Sequence, residues 1–222
     1  MPKLRGVRSL VHTLISRIVT VAVLFTLAGC GNLHVSSASQ SQAASKSDTA
    51  VLSPAATAQY QRALMYMEAG DDERAVQELD VFSAAYPGYA GPQINLAIIH
   101  GRNDRDAAAA AALEQAIELC SGCAPAYNEQ GILWRRQGRF QEAEAAYLNA
   151  IDSDPDYALA YINLGVLYDL YLQQPELALD YYQQYALLDS DIPEDVEVDK
   201  WIADLKRRIG QSQRAARADV SQ

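Results

Sequence analysis

The sequence predicts an all-α chain of about four stacked helical hairpins closed by a C-terminal capping helix. Three observations predict it. Windows beginning at Ala56, Ala90, Ala124 and Ala158 are spaced 34 residues apart. Small residues return at two places in each window, and large ones beside them. Glycine and proline punctuate the windows where helices should end. A fixed period of this length is the signature of a repeat architecture, and it must be sought before individual elements are read.

The eighth position holds Ala63, Ala97, Gly131 and Gly165; the twentieth holds Ala75, Ala109, Ala143 and, after a one-residue insertion near Gln173-Gln174-Pro175, Ala178. Small side chains at these places let two antiparallel helices cross closely. The eleventh position (Tyr66, His100, Trp134, Tyr168) and the twenty-fourth (Leu79, Leu113, Tyr147, Tyr182) fill the space beside the crossing. Gly70 and Gly138 are expected to end the first helix of their hairpins. Pro87 and Pro155 are expected to stop the second helix before the next unit. One hairpin cannot bury its apolar face, so the units must stack.

The second window is the weakest. Its first helix reads as short, from Gly91-Pro92 to Gly101, and Ala107–Ala112 is a bare alanine run. Alanine is the best helix former, and Leu113, Ile117 and Leu119 follow it, so helix is expected there. The array is placed at 54–192. Beyond it, Val198, Trp201, Ile202, Leu205 and Ile209 form an apolar stripe at helical spacing. Lys206, Arg207 and Arg208 lie near the end of that stripe, where positive charge suits the helix dipole. Residues 193–210 are read as a cap on the last repeat or, alternatively, as a helix that binds a partner. Gly210 is taken as the stop and 211–222 as a disordered polar tail.

The N-terminal region has a different character. Residues 1–17 hold four basic side chains and no acid, and Ile18 to Leu27 is almost continuously apolar. This reads as a charged segment and a short hydrophobic core of an export signal, below the ~20 apolar residues that span a bilayer. An uncleaved anchor is the alternative. The run ends in Leu27-Ala28-Gly29-Cys30, which resembles the lipobox of bacterial lipoproteins. That resemblance implies removal of 1–29 and lipidation of Cys30. Several acyl chains on one residue give stable membrane anchoring. Gly31 follows, not the Asp associated with inner-membrane retention, so the resemblance implies an outer-membrane lipoprotein facing the periplasm. Residues 31–53 are rich in Ser, Ala and Gln, so 30–53 is expected to be a lipidated flexible tether reaching roughly 25–30 Å.

The formal net charge is −10, and past the leader 14 basic side chains face 28 acidic ones. An acidic surface repels phosphate backbones, so nucleic acid is not an expected partner. Basic protein partners are favoured.

The 34-residue pattern resembles the tetratricopeptide repeat family over about 56–192. The resemblance implies that the first helices of the hairpins line a concave face that holds peptides. The ninth position supplies Leu64, Ile98, Ile132 and Val166; Asn95 and Asn163 stand at the sixth. Asn128, Arg102, Arg135 and Asp169 border them. Carboxamides can pair with peptide groups whatever the ligand sequence, and arginine can fork onto a carboxylate. The lysines of the family's carboxylate clamps are missing. The alternative is that the ninth-position residues pack between repeats and the amides are solvated.

Cys120-Ser121-Gly122-Cys123 falls in the turn between the second and third units, where other units carry proline. In an oxidising compartment a local disulfide is expected. A thiol oxidoreductase is the competing reading, although the βαβ context of a redox motif is missing. No nucleophile elbow, phosphate loop, zinc spacing or cofactor motif is evident, so no enzyme and no cofactor are expected. Small repeat lipoproteins resemble pilotins of type IV pili, accessory proteins of TonB systems and adaptors of peptidoglycan hydrolases. These resemblances imply a non-catalytic adaptor that binds envelope proteins or peptides and reaches the membrane through its N-terminal lipid.

Overall fold

The computed structural model describes residues 52–188 and 197–220. Cys30, the signal segment, almost all of the tether and residues 189–196 lie outside that range. Every regular element among the described residues is helical: α1 (Pro54–Glu68), α2 (Asp72–Ala85), α3 (Ala90–Arg102), α4 (Asp106–Leu119), α5 (Ala124–Arg136), α6 (Phe140–Ser153), α7 (Ala158–Val166), a wide π-type turn (Leu167–Tyr171), α8 (Pro175–Leu188) and α9 (Val198–Val220). The chain divides into two compact units, one up to Phe82 and one from Ser83 onward.

In the first unit, Ser53 accepts a hydrogen bond from the Ala56 N–H (3.2 Å), and Pro54 occupies the first turn of α1. Its missing N–H costs nothing there. Ala63 and Ala75 are fully buried where α1 crosses α2, with Leu79 sealed beside them. The Tyr60 and Phe82 rings lie 5.0 Å apart. Arg62 forks onto Glu78 at 3.1 and 3.2 Å on the exposed side.

From Ser83 onward three further hairpins stack. Ile94, Ala116 and Ala126 form one buried cluster that ties α3 and α4 to α5. Ala124, Ala150 and Ala160 form the next, tying α5 and α6 to α7. Helices α3, α5 and α7 therefore make one layer, with α4, α6 and α8 outside it. The second repeat is not short, as the sequence suggested: α3 has 13 residues, the same as α5. Pro92 sits in the first turn, where proline is tolerated, so it does not shorten the helix. The alanine run is helical, with Ala109 and Ala112 buried.

Each hairpin turn contains one residue with left-handed backbone: Gly70 (φ 73°), Asp104 (φ 56°), Gly138 (φ 75°) and Gln173 (φ 54°). Three of them stand fifteenth in their windows; Gln173 stands sixteenth. The inserted residue is absorbed just before it. The helix begun by α7 widens at Leu167–Tyr171, where the Leu172 N–H reaches back to the Leu167 carbonyl (3.0 Å). A π-type bulge of this kind is the ordinary way a helix takes one extra residue.

The terminal helix differs from expectation. Gly210 does not stop it; α9 runs on to Val220, so 211–220 is helix and not a disordered tail. A single glycine costs about 1 kcal/mol in a helix, and the Gln, Arg and Ala that follow are good helix formers. The first half caps the array: Val198 and Leu205 are buried, and the Trp201 ring lies 5.4 Å from that of Tyr182.

Candidate functional site

The inner layer of α3, α5 and α7 carries most of the expected groove residues. It separates them into three groups. Ile98, Ile132 and Val166 are half-buried, one per helix, and Arg102 is exposed. These keep contact with solvent. Leu64 lies in the first unit and is buried, so it offers no open surface.

The polar residues are not a solvated lining. Asn95, Asn128, Asn163 and Arg135 are buried. Asn163 donates to the Asn128 side-chain oxygen (2.9 Å) across α5 and α7, and Arg135 donates to Asn163 (3.4 Å). Buried amides without partners would be costly, and this ladder gives Asn128 and Asn163 partners while joining the third repeat to the fourth. The Arg135 guanidinium lies over the faces of Tyr147 and Tyr171, at 6.0 and 5.9 Å from the ring centres. Such contacts favour a cation taken out of water. Asp169 is paired with Arg208 of α9 and is only slightly exposed. It belongs to the cap contact, and a ligand would have to displace Arg208 to reach it.

Glu129 stands at the sixth position of its window, one of those that the family resemblance turns toward the concave face. It sits beside Asn128, which donates to its carboxylate at 3.4 Å. Burial pushes its carboxyl up to about 7, against the opposing influence of Asn128 and Arg135. The sequence shows only that Glu129 interrupts the asparagines at the sixth position. Its burial depends on the neighbouring helices.

Cys120 and Cys123 are joined in a disulfide, with Cα atoms 5.4 Å apart. Cys123 caps α5 and packs against the Ile94–Ala116–Ala126 cluster. The Tyr127 hydroxyl donates to the Ser121 carbonyl (3.1 Å) across the same turn. The bridge thus braces the junction that lacks a proline. Among the described residues, no group of three potential metal ligands is present.

The fold and this inner face define a helical-repeat array of the tetratricopeptide type. A tetratricopeptide repeat model matches residues 57–89, and a TPR repeat model matches 131–170. Solved structures share the arrangement. A solved structure from the functional characterisation of Pseudomonas aeruginosa pilF is 24% identical, with a TM-score of 0.62 over 71% of this chain and 70% of that one. A MamA protein is 25% identical, with a TM-score of 0.50 over 60% and 72% of the two chains. YrrB, described as a TPR protein with an unusual peptide-binding site, is 23% identical, with a TM-score of 0.50 over 66% and 75%. No curated protein matches the chain. The two matched stretches take in the first repeat and parts of the third and fourth.

Proposed function

We propose that this chain is a lipid-anchored adaptor of the bacterial envelope. On this reading Cys30 holds it at the outer membrane, the body faces the periplasm, and the inner layer from the second to the fourth repeat binds an extended segment of an envelope protein. The observation that carries the binding reading is the row Ile98–Ile132–Val166: three half-buried β-branched side chains, one per inner helix, on a frame that the Asn128–Asn163 ladder holds rigid. A preorganised apolar strip lowers the ordering cost of binding a peptide. The anchor reading is supported by the Leu27-Ala28-Gly29-Cys30 motif.

Crosslinking in intact envelope membranes tests the binding reading. Defined partners should be recovered with the parent chain and lost with Ile132→Asp, provided its helical content is unchanged. Undiminished recovery with Ile98→Asp and Ile132→Asp together would place binding on another face. Palmitate incorporation should disappear in Cys30→Ala; labelling that persists would overturn the anchor. Partner recovery in Cys120→Ser/Cys123→Ser separates this reading from a thiol oxidoreductase, because only the latter needs the sulfurs.

A further inference from the structure

The second half of α9 is not needed to cap the array. The cap contacts lie on one side of the helix, at Val198, Trp201, Leu205 and Arg208. Residues 211–219 are all exposed, although the helix continues through them. On the side turned away from the cap, Lys206, Arg207, Arg214 and Arg217 fall within an arc of about 100° at 3.6 residues per turn. Arg207 pairs with Asp204 one turn earlier. Lys206, Arg214 and Arg217 make no ion pair among the described residues. The charge is concentrated here: α9 holds six basic and three acidic side chains, against seven basic and 19 acidic in residues 52–188.

We propose that this basic stripe is a docking surface for an acidic helix of a protein partner, separate from the inner layer. Its length and spacing fit a helix. From Lys206 to Arg217 the stripe covers about 16 Å at 1.5 Å per residue. The Arg207, Arg214 and Arg217 positions repeat at seven and three residues, the spacing at which a facing helix presents its own side chains. Arginine forks match carboxylates in two-pronged pairs. The chain as a whole is acidic, which disfavours an anionic bilayer or a nucleic acid as the occupant. The stripe carries no large apolar side chain that could enter a lipid interface.

The test uses the full chain and a fluorescein-labelled, alanine-based peptide of about 18 residues. Its glutamates are placed at i, i+4, i+7 and i+11 along one face. Fluorescence anisotropy should report saturable binding that weakens as salt rises. Lys206→Gln/Arg207→Gln/Arg214→Gln/Arg217→Gln should weaken it by about tenfold or more, while Ile132→Asp should leave it unchanged. If the quadruple variant loses helicity, Arg214→Glu/Arg217→Glu alone, both in the exposed extension, should abolish binding. Unchanged affinity in a correctly helical variant would overturn the proposal. So would equal affinity for a peptide of the same composition with glutamates spread around the helix, for anionic phospholipid vesicles, or for a single-stranded oligonucleotide.

Discussion

At the scale of single residues, the repeat is held together by paired volumes. A Cβ added at Gly131 would lie 2.5–2.9 Å from ring carbons of Tyr147, and one at Gly165 would run into the Tyr182 ring. In the first two repeats alanine takes the glycine's place, and leucine takes the tyrosine's: Ala63 with Leu79, Ala97 with Leu113. The small and large partners change together because they share one space. Gly131→Ala should therefore destabilise the chain by about 1–3 kcal/mol. Combining it with Tyr147→Leu should recover a measurable part of that loss in a double-mutant cycle by urea denaturation. Strictly additive losses would mean that the two side chains do not share the space.

Glu129 gives a second prediction at this scale. Its carboxyl is raised to about 7 by burial, above the ordinary unfolded value of about 4.3. The native state then binds more protons than the unfolded state between those values, so stability should fall as pH rises from about 4.5 to 7 and level off above. Glu129→Gln should flatten that part of the profile and stabilise the protein at pH 8, by on the order of 1–3 kcal/mol given partial contact with solvent. Thermal unfolding of parent and variant between pH 5 and 8 measures it. Parallel profiles would show that Glu129 is ordinarily solvated.

At the scale of elements, the four hairpin turns solve one problem with different residues. Each needs one left-handed residue, yet glycine supplies it only at Gly70 and Gly138. Asp104 and Gln173 hold the same backbone with a side chain attached. An asparagine or aspartate visits this region more readily than a glutamine, so Gln173 carries the larger strain. Gln173→Gly should raise the urea midpoint by an amount worth about 0.5–1 kcal/mol with an unchanged slope, since glycine's own entropic cost offsets part of the relief. A fall in stability would mean that the Gln173 side chain is itself needed. The wide turn at Leu167–Tyr171 is the companion of this substitution, because the extra residue had to be placed before the left-handed one. It also carries Tyr171 to the Arg135 guanidinium.

At the scale of the whole molecule, α9 has two parts with different roles. Its first half buries Val198 and Leu205 against the last repeat; the remainder is exposed from 211 to 219. Truncation after Gly210 should shift the unfolding midpoint by no more than about 2 °C, because little apolar surface is uncovered. Removing 198–222 should lower it by several degrees and expose the Tyr182 ring, readable as increased tyrosine quenching. A large loss from the shorter truncation would show that the extension braces the array.

Much of this was legible in the amino-acid sequence. The 34-residue period determined the repeat count, the small crossing positions and the large partners beside them. These follow from local rules, since helix geometry alone decides which side chains face one another. The burial of Arg135 and the partial burial of Glu129 were decided only by tertiary structure, because both depend on groups brought close from different repeats. The left-handed turns at Asp104 and Gln173, the π-type turn and the run of α9 past Gly210 are local features that the residue types did not mark. The sequence placed Asn95, Asn128, Asn163 and Arg135 on the inner helices, as a ligand-facing row. Packing buried all four and joined Asn128, Asn163 and Arg135 in a ladder between the repeats, because a desolvated amide or guanidinium is tolerated only where a neighbour satisfies it. On that layer Ile98, Ile132 and Val166 stay half-buried and, like the exposed Arg102, keep contact with solvent.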